Sequence, residues 1–205
     1  MDKFVTGLVV VSALINMHAD RLLLAGKLKA GEGLKGADYY LAVGETNTTE
    51  NLFKSAKLGG AMIACWMTVL MFLLRLSGPL SHLAALFYAL FVGFNMLGHV
   101  LTASAFIMMK DRILRKRDIR KLFVFFMALT LVFATAYSGT LAYMGFKGHI
   151  LMRWYHYLTL PILMVIVSQC FIAKVIKNKR IKDYAGTLGQ LLAMLMTIHL
   201  VGLNT

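Results

Sequence analysis

Six histidines lie within or beside long apolar stretches of this 205-residue chain, and they are its most chemically capable residues. They are His18, His82, His99, His149, His156 and His199. A neutral imidazole can ligate a metal ion, and it can accept or donate a proton near neutral pH. Because ionisable groups are costly in lipid, histidines inside apolar segments are candidate functional residues.

Six apolar segments, each long enough to cross a bilayer, must position these histidines. The chain is 59% hydrophobic, whereas a typical soluble domain is roughly 45–50% apolar. The segments are residues 4–24, 60–76, 83–109, 122–146, 150–173 and 185–203. The sequence therefore predicts an all-α bundle of six transmembrane helices that forms a single domain, residues 1–205, with residues 25–59 as the longest loop.

Positive charge is concentrated on one side of this predicted bundle. Lysines and arginines cluster at residues 27–57, 110–121 and 174–182, whereas the other side carries Lys3, Arg75, Lys147 and Arg153. The positive-inside rule places the basic loops in the cytoplasm or matrix and both termini on the outer side. The net charge of +13 then suits anionic lipid headgroups or an acidic partner surface, and not nucleic acid. A bacterial or mitochondrial inner membrane is the expected location.

The loops add two further expectations. Residues 77–79 and 147–149 form very short connections, which predict that the helices on either side of each pack as antiparallel neighbours. Residues 37–43, within the long basic loop, include Tyr39 and Tyr40 and are predicted to form a short amphipathic turn at the membrane interface.

The predicted orientation gives each histidine a depth. His99 lies eleven residues before Lys110 and His18 nine before Lys27, which puts them about 16 Å and about 13 Å from the inner boundary. The same count puts His156 and His199 about 27 Å and about 24 Å from that boundary. The four form two pairs of matched depth, each from two different helices, whereas the remaining two histidines lie at outer helix ends.

Two imidazoles at matched depth on facing helices can be the axial ligands of a six-coordinate b-type haem. The two pairs therefore predict one or two haem b groups with His18, His99, His156 and His199 as metal ligands. Each histidine could instead be a buried hydrogen-bonding residue between helices or an interface residue.

Three further residues are predicted to contact such a haem. Gly98 and Gly139 would leave room for the macrocycle, and Arg153, one turn before His156, would meet a propionate through charge-assisted hydrogen bonds.

Residues 153–157, Arg-Trp-Tyr-His-Tyr, open an apolar segment and resemble the entrance to the haem-bearing helices of membrane b-type cytochromes. In that superfamily an Arg-Trp-x-His sequence often carries an axial ligand, and residues 197–200, Thr-Ile-His-Leu, fit the same pattern loosely. Families with two haems in a four-helix core often place histidines thirteen residues apart on one helix, but here Gln169 follows His156 at that spacing. The resemblance implies one histidine per helix, as in the membrane anchors of respiratory dehydrogenases.

Three functions are compatible with the sequence. The first is a haem b-binding electron-transfer subunit of a quinone-linked redox complex. Its partners would be other membrane or peripheral subunits, and it would be at most the electron-transfer subunit of an oxidoreductase. The second is a structural or accessory subunit of a larger membrane assembly without a cofactor.

The third is a small transporter or channel with a polar path. Its candidate lining residues are Asn95, His99 and Thr102 on one helix face and Asn16 and Asp20 on another. The small number of carboxylates in the apolar segments argues against a cation carrier, and no helix is visibly interrupted. Pro161 is the one intramembrane candidate for a kink.

Overall fold

The protein, as a computed structural model, is described at residues 3–26, 36–167 and 179–205, and helices are the regular secondary structure of these ranges. In chain order they are α1 (Lys3–Leu23), α2 (Gly36–Thr46), α3 (Thr49–Leu73), α4 (Ser81–Lys110), α5 (Lys116–Phe146), α6 (Trp154–Leu158), α7 (Pro161–Ile166) and α8 (Lys179–Asn204). The predicted all-α class is confirmed.

Five of the described helices are long and apolar enough to cross a membrane, namely α1, α3, α4, α5 and residues Thr187–Asn204 of α8. Large apolar side chains also cover the outside of the bundle, and Phe125, Phe146 and Trp154 are more than half exposed. Water would disfavour so much exposed apolar surface, whereas lipid would accept it. These features are consistent with a multi-pass membrane protein.

The predicted span at residues 150–173 is interrupted within the part that the structure describes. Helix α6 ends at Leu158, and α7 begins at Pro161. Proline disfavours helical backbone at the residue before it, and Leu160 is accordingly extended, with ψ of 140°. The backbone N–H of Ile162 donates to Ser138 Oγ of α5 at 3.1 Å. The sequence suggested at most a kink here, but the helix is broken.

The long helices form a closed ring. Helix α4 packs between α3 and α5, α3 packs also on α1 and α8, and α7 fills the space between α5 and α8. The neighbours predicted from the two short loops are thereby observed. We call the end of the ring at the α4–α5 turn (residues 111–115) the basic end, and the end that contains residues 74–80 and 147–153 the opposite end.

The stretch predicted as a loop contains helix α2 and the first turns of α3. Thr48 caps α3, because its side chain accepts a hydrogen bond from the backbone N–H of Asn51 at 3.2 Å. Helix α3 therefore begins eleven residues before the predicted start at Gly60. This extension places Ser55 inside the bundle, where it is fully buried.

Helix α2 packs against α4 and α5 at the basic end. Two ion pairs join it to α5: Asp38 lies 3.5 Å from Arg120, and Glu45 lies 2.8 Å from Lys116. Between them the ring of Tyr40 lies 4.8 Å, centroid to centroid, from that of Phe123. The predicted amphipathic turn is thus a helix that covers part of the basic end.

Candidate functional site

A carboxylate, an imidazole and a hydroxyl meet where α1, α3 and α4 pack together. Asp20 Oδ1 lies 3.3 Å from His99 Nδ1, and His99 Nε2 lies 3.0 Å from Ser55 Oγ. The side chain of His99 is 9% exposed and that of Asp20 is 23% exposed. Gly59 permits this approach, since a Cβ there would lie 2.8 Å from His99 Cδ2.

The hydrogen bonds of Ser55 determine where His99 carries a proton. Ser55 Oγ donates its single hydrogen to the carbonyl oxygen of Ala19 at 2.8 Å. Its oxygen must therefore accept from His99, so His99 Nε2 bears a hydrogen. In a neutral His99 the other nitrogen, Nδ1, then presents a lone pair to Asp20. Two acceptors 3.3 Å apart repel each other unless a proton or another cation neutralises the contact.

The second oxygen of Asp20 is held by α8. Thr187 Oγ1 donates to Asp20 Oδ2 at 2.8 Å and accepts from Asn16 Nδ2 at 3.2 Å. Asn16 and Thr187 are both buried. A polar chain from α1 to α8 therefore orients the carboxylate so that its Oδ1 points to His99.

The contact between Asp20 and His99 shows that α1 ends well before α4 does. Asp20 is three residues from the end of α1, whereas His99 is eleven residues from the end of α4. At about 1.5 Å per residue, α1 stops about 12 Å short of the end of α4. Asn47, after α2, donates from Nδ2 to the carbonyl oxygens of Leu22 and Leu23 at 2.8 and 2.9 Å. The segment from α2 to α3 thus closes the end of α1.

A cavity of about 140 Å³ lies beside Asp20 and His99. Its other polar lining comes from Asn95 and Thr102 of α4 and Thr130 of α5. The rest of its lining is Leu23, Tyr40, Phe94, Gly98, Phe123, Phe126 and Met127. The residues predicted as a polar face of α4 therefore do line a common space.

The opposite end holds the second histidine cluster. His156 Nε2 and His199 Nδ1 are 3.0 Å apart, and the two rings stack at 5.2 Å with an interplanar angle of 20°. His156 Nδ1 accepts a hydrogen bond from the backbone N–H of Arg153 at 3.0 Å, which caps α6. His156 therefore carries its hydrogen on Nε2 and donates it to His199.

Little space accompanies this second cluster. The adjoining cavity, lined by His156, Thr159, Pro161 and Thr197 among others, has a volume of about 10 Å³. That is close to the volume that one water molecule requires, about 10–15 Å³ on the same measure. The cluster joins α6 to α8, and this cavity, as the described residues form it, holds no solute larger than water.

The arrangement of the predicted ligands does not fit bis-histidine ligation of haem. An iron cannot lie between His156 and His199 while their nitrogens are hydrogen-bonded directly to each other. His99 contacts Asp20 and Ser55, whereas His18 is exposed, two residues from Asp20 and so on the other side of α1. Haem binding stays a prediction from the sequence.

The other predicted haem contacts have different surroundings. A Cβ on Gly98 would lie 3.2 Å from Phe126 Cβ, so this glycine permits close packing of α4 on α5. Gly139 is exposed, and a Cβ there would meet nothing within 4 Å. Arg153 has an exposed side chain and contributes its backbone N–H to the cap. Within the described ranges, no group of three or more histidine, cysteine, aspartate or glutamate residues could hold a metal ion.

Three buried polar atoms have no hydrogen-bond partner among the described residues. They are Ser12 Oγ of α1, Trp66 Nε1 of α3 and Gln190 Oε1 of α8. Buried polar atoms are nearly always hydrogen-bonded, and exceptions often mark an ordered water or a ligand. All three belong to the helices that also supply Asp20, Ser55 and Thr187.

Comparisons with models of protein families, with curated proteins and with solved structures find no match to this chain.

Sequence reasoning missed Ser55, Gly59 and Thr187 as parts of the site. Ser55 and Gly59 lay in a predicted loop, because Lys54 and Lys57 argued for placing the segment outside the bundle. The signal that could have found Ser55 and Gly59 is helical spacing of polar residues over Thr48–Gly60, with Thr48 as the N-cap of that helix.

Proposed function

We propose that this protein is a small membrane transporter whose substrate site is the cavity beside Asp20 and His99. The observation that carries the proposal is the 3.3 Å contact between these two side chains next to a cavity of about 140 Å³. An ionisable pair in an apolar bundle is costly, and such pairs commonly mark substrate or proton paths. The cavity that the described residues form beside the second histidine cluster is much smaller, about 10 Å³.

A polar route beyond this site supports the proposal. Asp20, Thr187 and Asn16 form a continuous hydrogen-bonded chain between α1 and α8. The unpaired buried atoms of Ser12, Trp66 and Gln190 lie on α1, α3 and α8, further from the basic end than Asp20 or Thr187 along α1 and α8. A passing solute or its water could satisfy these atoms in turn.

The interrupted helix is a second supporting feature. Many transporters use helices broken within the membrane, because freed backbone groups there can bind or gate a solute. We propose that residues 150–173 form a sixth, interrupted span, that both termini face outward, and that the membrane is a bacterial or mitochondrial inner membrane. A cysteine introduced at Arg117 should react only with a reagent on the inner side, and one introduced at Thr205 only with a reagent on the outer side.

Flux into proteoliposomes tests the transport proposal. Purified protein is reconstituted, and uptake of labelled glycerol, acetate and benzylammonium is measured for the native protein and for Asp20→Asn, His99→Ala and His82→Ala. At least one solute should enter about tenfold faster with native protein than with the first two variants. His82→Ala is the control, since His82 is exposed outside the cavity. Flux of every solute unaffected by His99→Ala would remove the proposal.

Haem-linked electron transfer in a quinone-linked complex, and an accessory role in a membrane assembly, remain competing proposals from the sequence. The reduced-minus-oxidised absorption spectrum of protein purified from its native membrane tests the first. An α-band that disappears in a His156→Ala, His199→Ala double variant would support haem ligation over transport.

A further inference from the structure

The cavity beside Asp20 and His99 has the chemistry of a site for an organic cation. Of the described residues that line it, Asp20 is the only acid, and none is a lysine or arginine. The titratable lining groups are Asp20 of α1, His99 of α4 and Tyr40 of α2. Two basic residues of α5, Lys116 and Arg120, are paired with the acids of α2. A positive solute is therefore favoured and a negative one is not.

Aromatic rings supply much of the remaining wall. Tyr40 and Phe123 are 4.8 Å apart between centroids, and Phe94 and Phe126 are 6.3 Å apart. The faces of aromatic rings attract cations, and the attraction grows when the cation is removed from water. A single carboxylate with several aromatic rings binds an ammonium group attached to an apolar body better than a bare metal cation, which would need more oxygen ligands.

The size of the cavity sets the scale of this solute. About 140 Å³ is roughly ten times the volume that one water needs on the same measure. A small amine fits within it.

The contact between Asp20 and His99 also specifies what the cation replaces. Since His99 Nε2 donates to Ser55, Asp20 Oδ1 and the Nδ1 of a neutral His99 face each other as two acceptors 3.3 Å apart. A proton can occupy this position in the empty site. An N–H group of a protonated amine, which donates to both atoms, can occupy it in the loaded site.

We propose that the cavity binds a small protonated primary or secondary amine, and that each amine bound displaces one proton from between Asp20 and His99. The proposal rests on the proposed transport function, which it deepens by naming the substrate class. The exchange balances as one ammonium ion taken up and one proton released, with no bond to carbon formed or broken. Carried across the membrane, the same exchange is amine–proton antiport.

Calorimetry with benzylammonium chloride as the probe tests the binding step on the full chain in detergent. We expect release of about one proton per amine, read from titrations in two buffers of different ionisation enthalpy. Tetramethylammonium, which has no N–H donor, should bind at least about tenfold more weakly.

Two chemical controls define the class of solute. Benzyl alcohol has nearly the shape of the probe without its charge, and benzoate has the opposite charge. Equal binding of benzyl alcohol would overturn the cation assignment. Benzylammonium binding without proton release would overturn the exchange.

Variants connect the binding to this cavity. Asp20→Asn should abolish benzylammonium binding, whereas Glu50→Gln, which removes an exposed carboxylate of α3 that pairs with Lys54, should leave it unchanged. The Cβ that Gly98→Ala adds would lie 3.2 Å from Phe126 Cβ, and we expect it to weaken binding about threefold to tenfold. The Cβ that Gly139→Ala adds has no neighbour within 4 Å, so this control should bind as the native protein does. If Asp20→Asn does not fold, the Gly98 and Gly139 pair still decides the location. Full binding in both Asp20→Asn and Gly98→Ala would overturn it.

The two proposals can fail separately. If benzylammonium binds with proton release but does not enter proteoliposomes, the site is an amine site and the transport proposal is wrong. If another solute crosses in a manner that depends on Asp20 while amines do not bind, transport stands and the amine assignment is wrong.

Discussion

The two histidine clusters differ in what their nitrogens contact. At the basic end, His99 lies between a carboxylate and a hydroxyl, and the contact with Asp20 needs one added proton or cation to be favourable. At the opposite end, His156 caps a helix through one nitrogen and donates to His199 through the other. Both ring nitrogens of His156 are therefore already used in hydrogen bonds within the protein. In the proposed function the first cluster exchanges a proton for a ligand, whereas the second cluster holds α6 and α8 together.

The largest expected effect separates the clusters by function. Asp20→Ala removes the acceptor for the proton or cation and should reduce amine flux at least about 100-fold, or about 2.7 kcal/mol in the barrier. His156→Gln keeps an acceptor for the cap and should change flux less than about twofold. Uptake per reconstituted, folded protein measures both. Comparable losses of amine flux in the two variants would show that the two clusters do not differ in function.

The next effect separates the clusters by stability. His156→Ala removes the cap of α6 and the hydrogen bond to His199, and should lower the free energy of unfolding by about 2 kcal/mol. Unfolding by SDS in mixed micelles measures it. His156→Gln should recover part of that loss because its side chain can still accept from Arg153. A His156→Ala protein as stable as the native one would show that the pair is not structural.

Two adjacent glycines test how closely His99 is positioned. Gly59→Ala places a Cβ 2.8 Å from His99 Cδ2, whereas Gly60→Ala meets nothing within 4 Å. We expect Gly59→Ala to displace the ring, cut flux about fivefold and cost about 1 kcal/mol of stability. Gly60→Ala should be neutral or stabilising by up to about 1 kcal/mol, since alanine is the better helix former. Equal flux in the two variants would show that the ring position is not critical.

The smallest effect concerns α2. Glu45→Gln removes the exposed ion pair with Lys116, and such pairs contribute about 0–1 kcal/mol. We expect a loss of about 0.5 kcal/mol in low salt that disappears near 1 M salt, because exposed charges are screened. Unfolding at the two salt concentrations measures it. A loss that persists in high salt would mean that Glu45 acts through more than its charge.

The sequence predicted the class of fold well, because the thickness of a bilayer constrains the length and polarity of its helices. The sequence also paired His156 with His199 by depth, and the two side chains are in contact at 3.0 Å; whether they ligate a metal stays a prediction. It paired His99 with His18, whereas His99 contacts Asp20 and His18 is exposed on the other side of α1. The difference follows from the assumption that all helices end in one plane, whereas α1 ends about 12 Å before α4.

The interruption of the segment before Pro161 could be predicted only in part. Proline marks the place, but a kinked helix and a broken one differ in whether a neighbour accepts the freed backbone N–H. Ser138 accepts it from Ile162 here. Such a contact depends on the rotation of α5 about its axis, which an apolar run with weak periodicity does not determine.

In the proposed exchange, Asp20 and His99 hold either one proton or one ammonium group, and this limits how the membrane potential can act. Moving one elementary charge across the membrane changes the free energy by about 2.3 kcal/mol per 100 mV. An ammonium ion carried one way and a proton carried the other way sum to no net charge. One-for-one exchange would therefore be driven by the differences in pH and in amine concentration across the membrane. The membrane potential would not change its net direction.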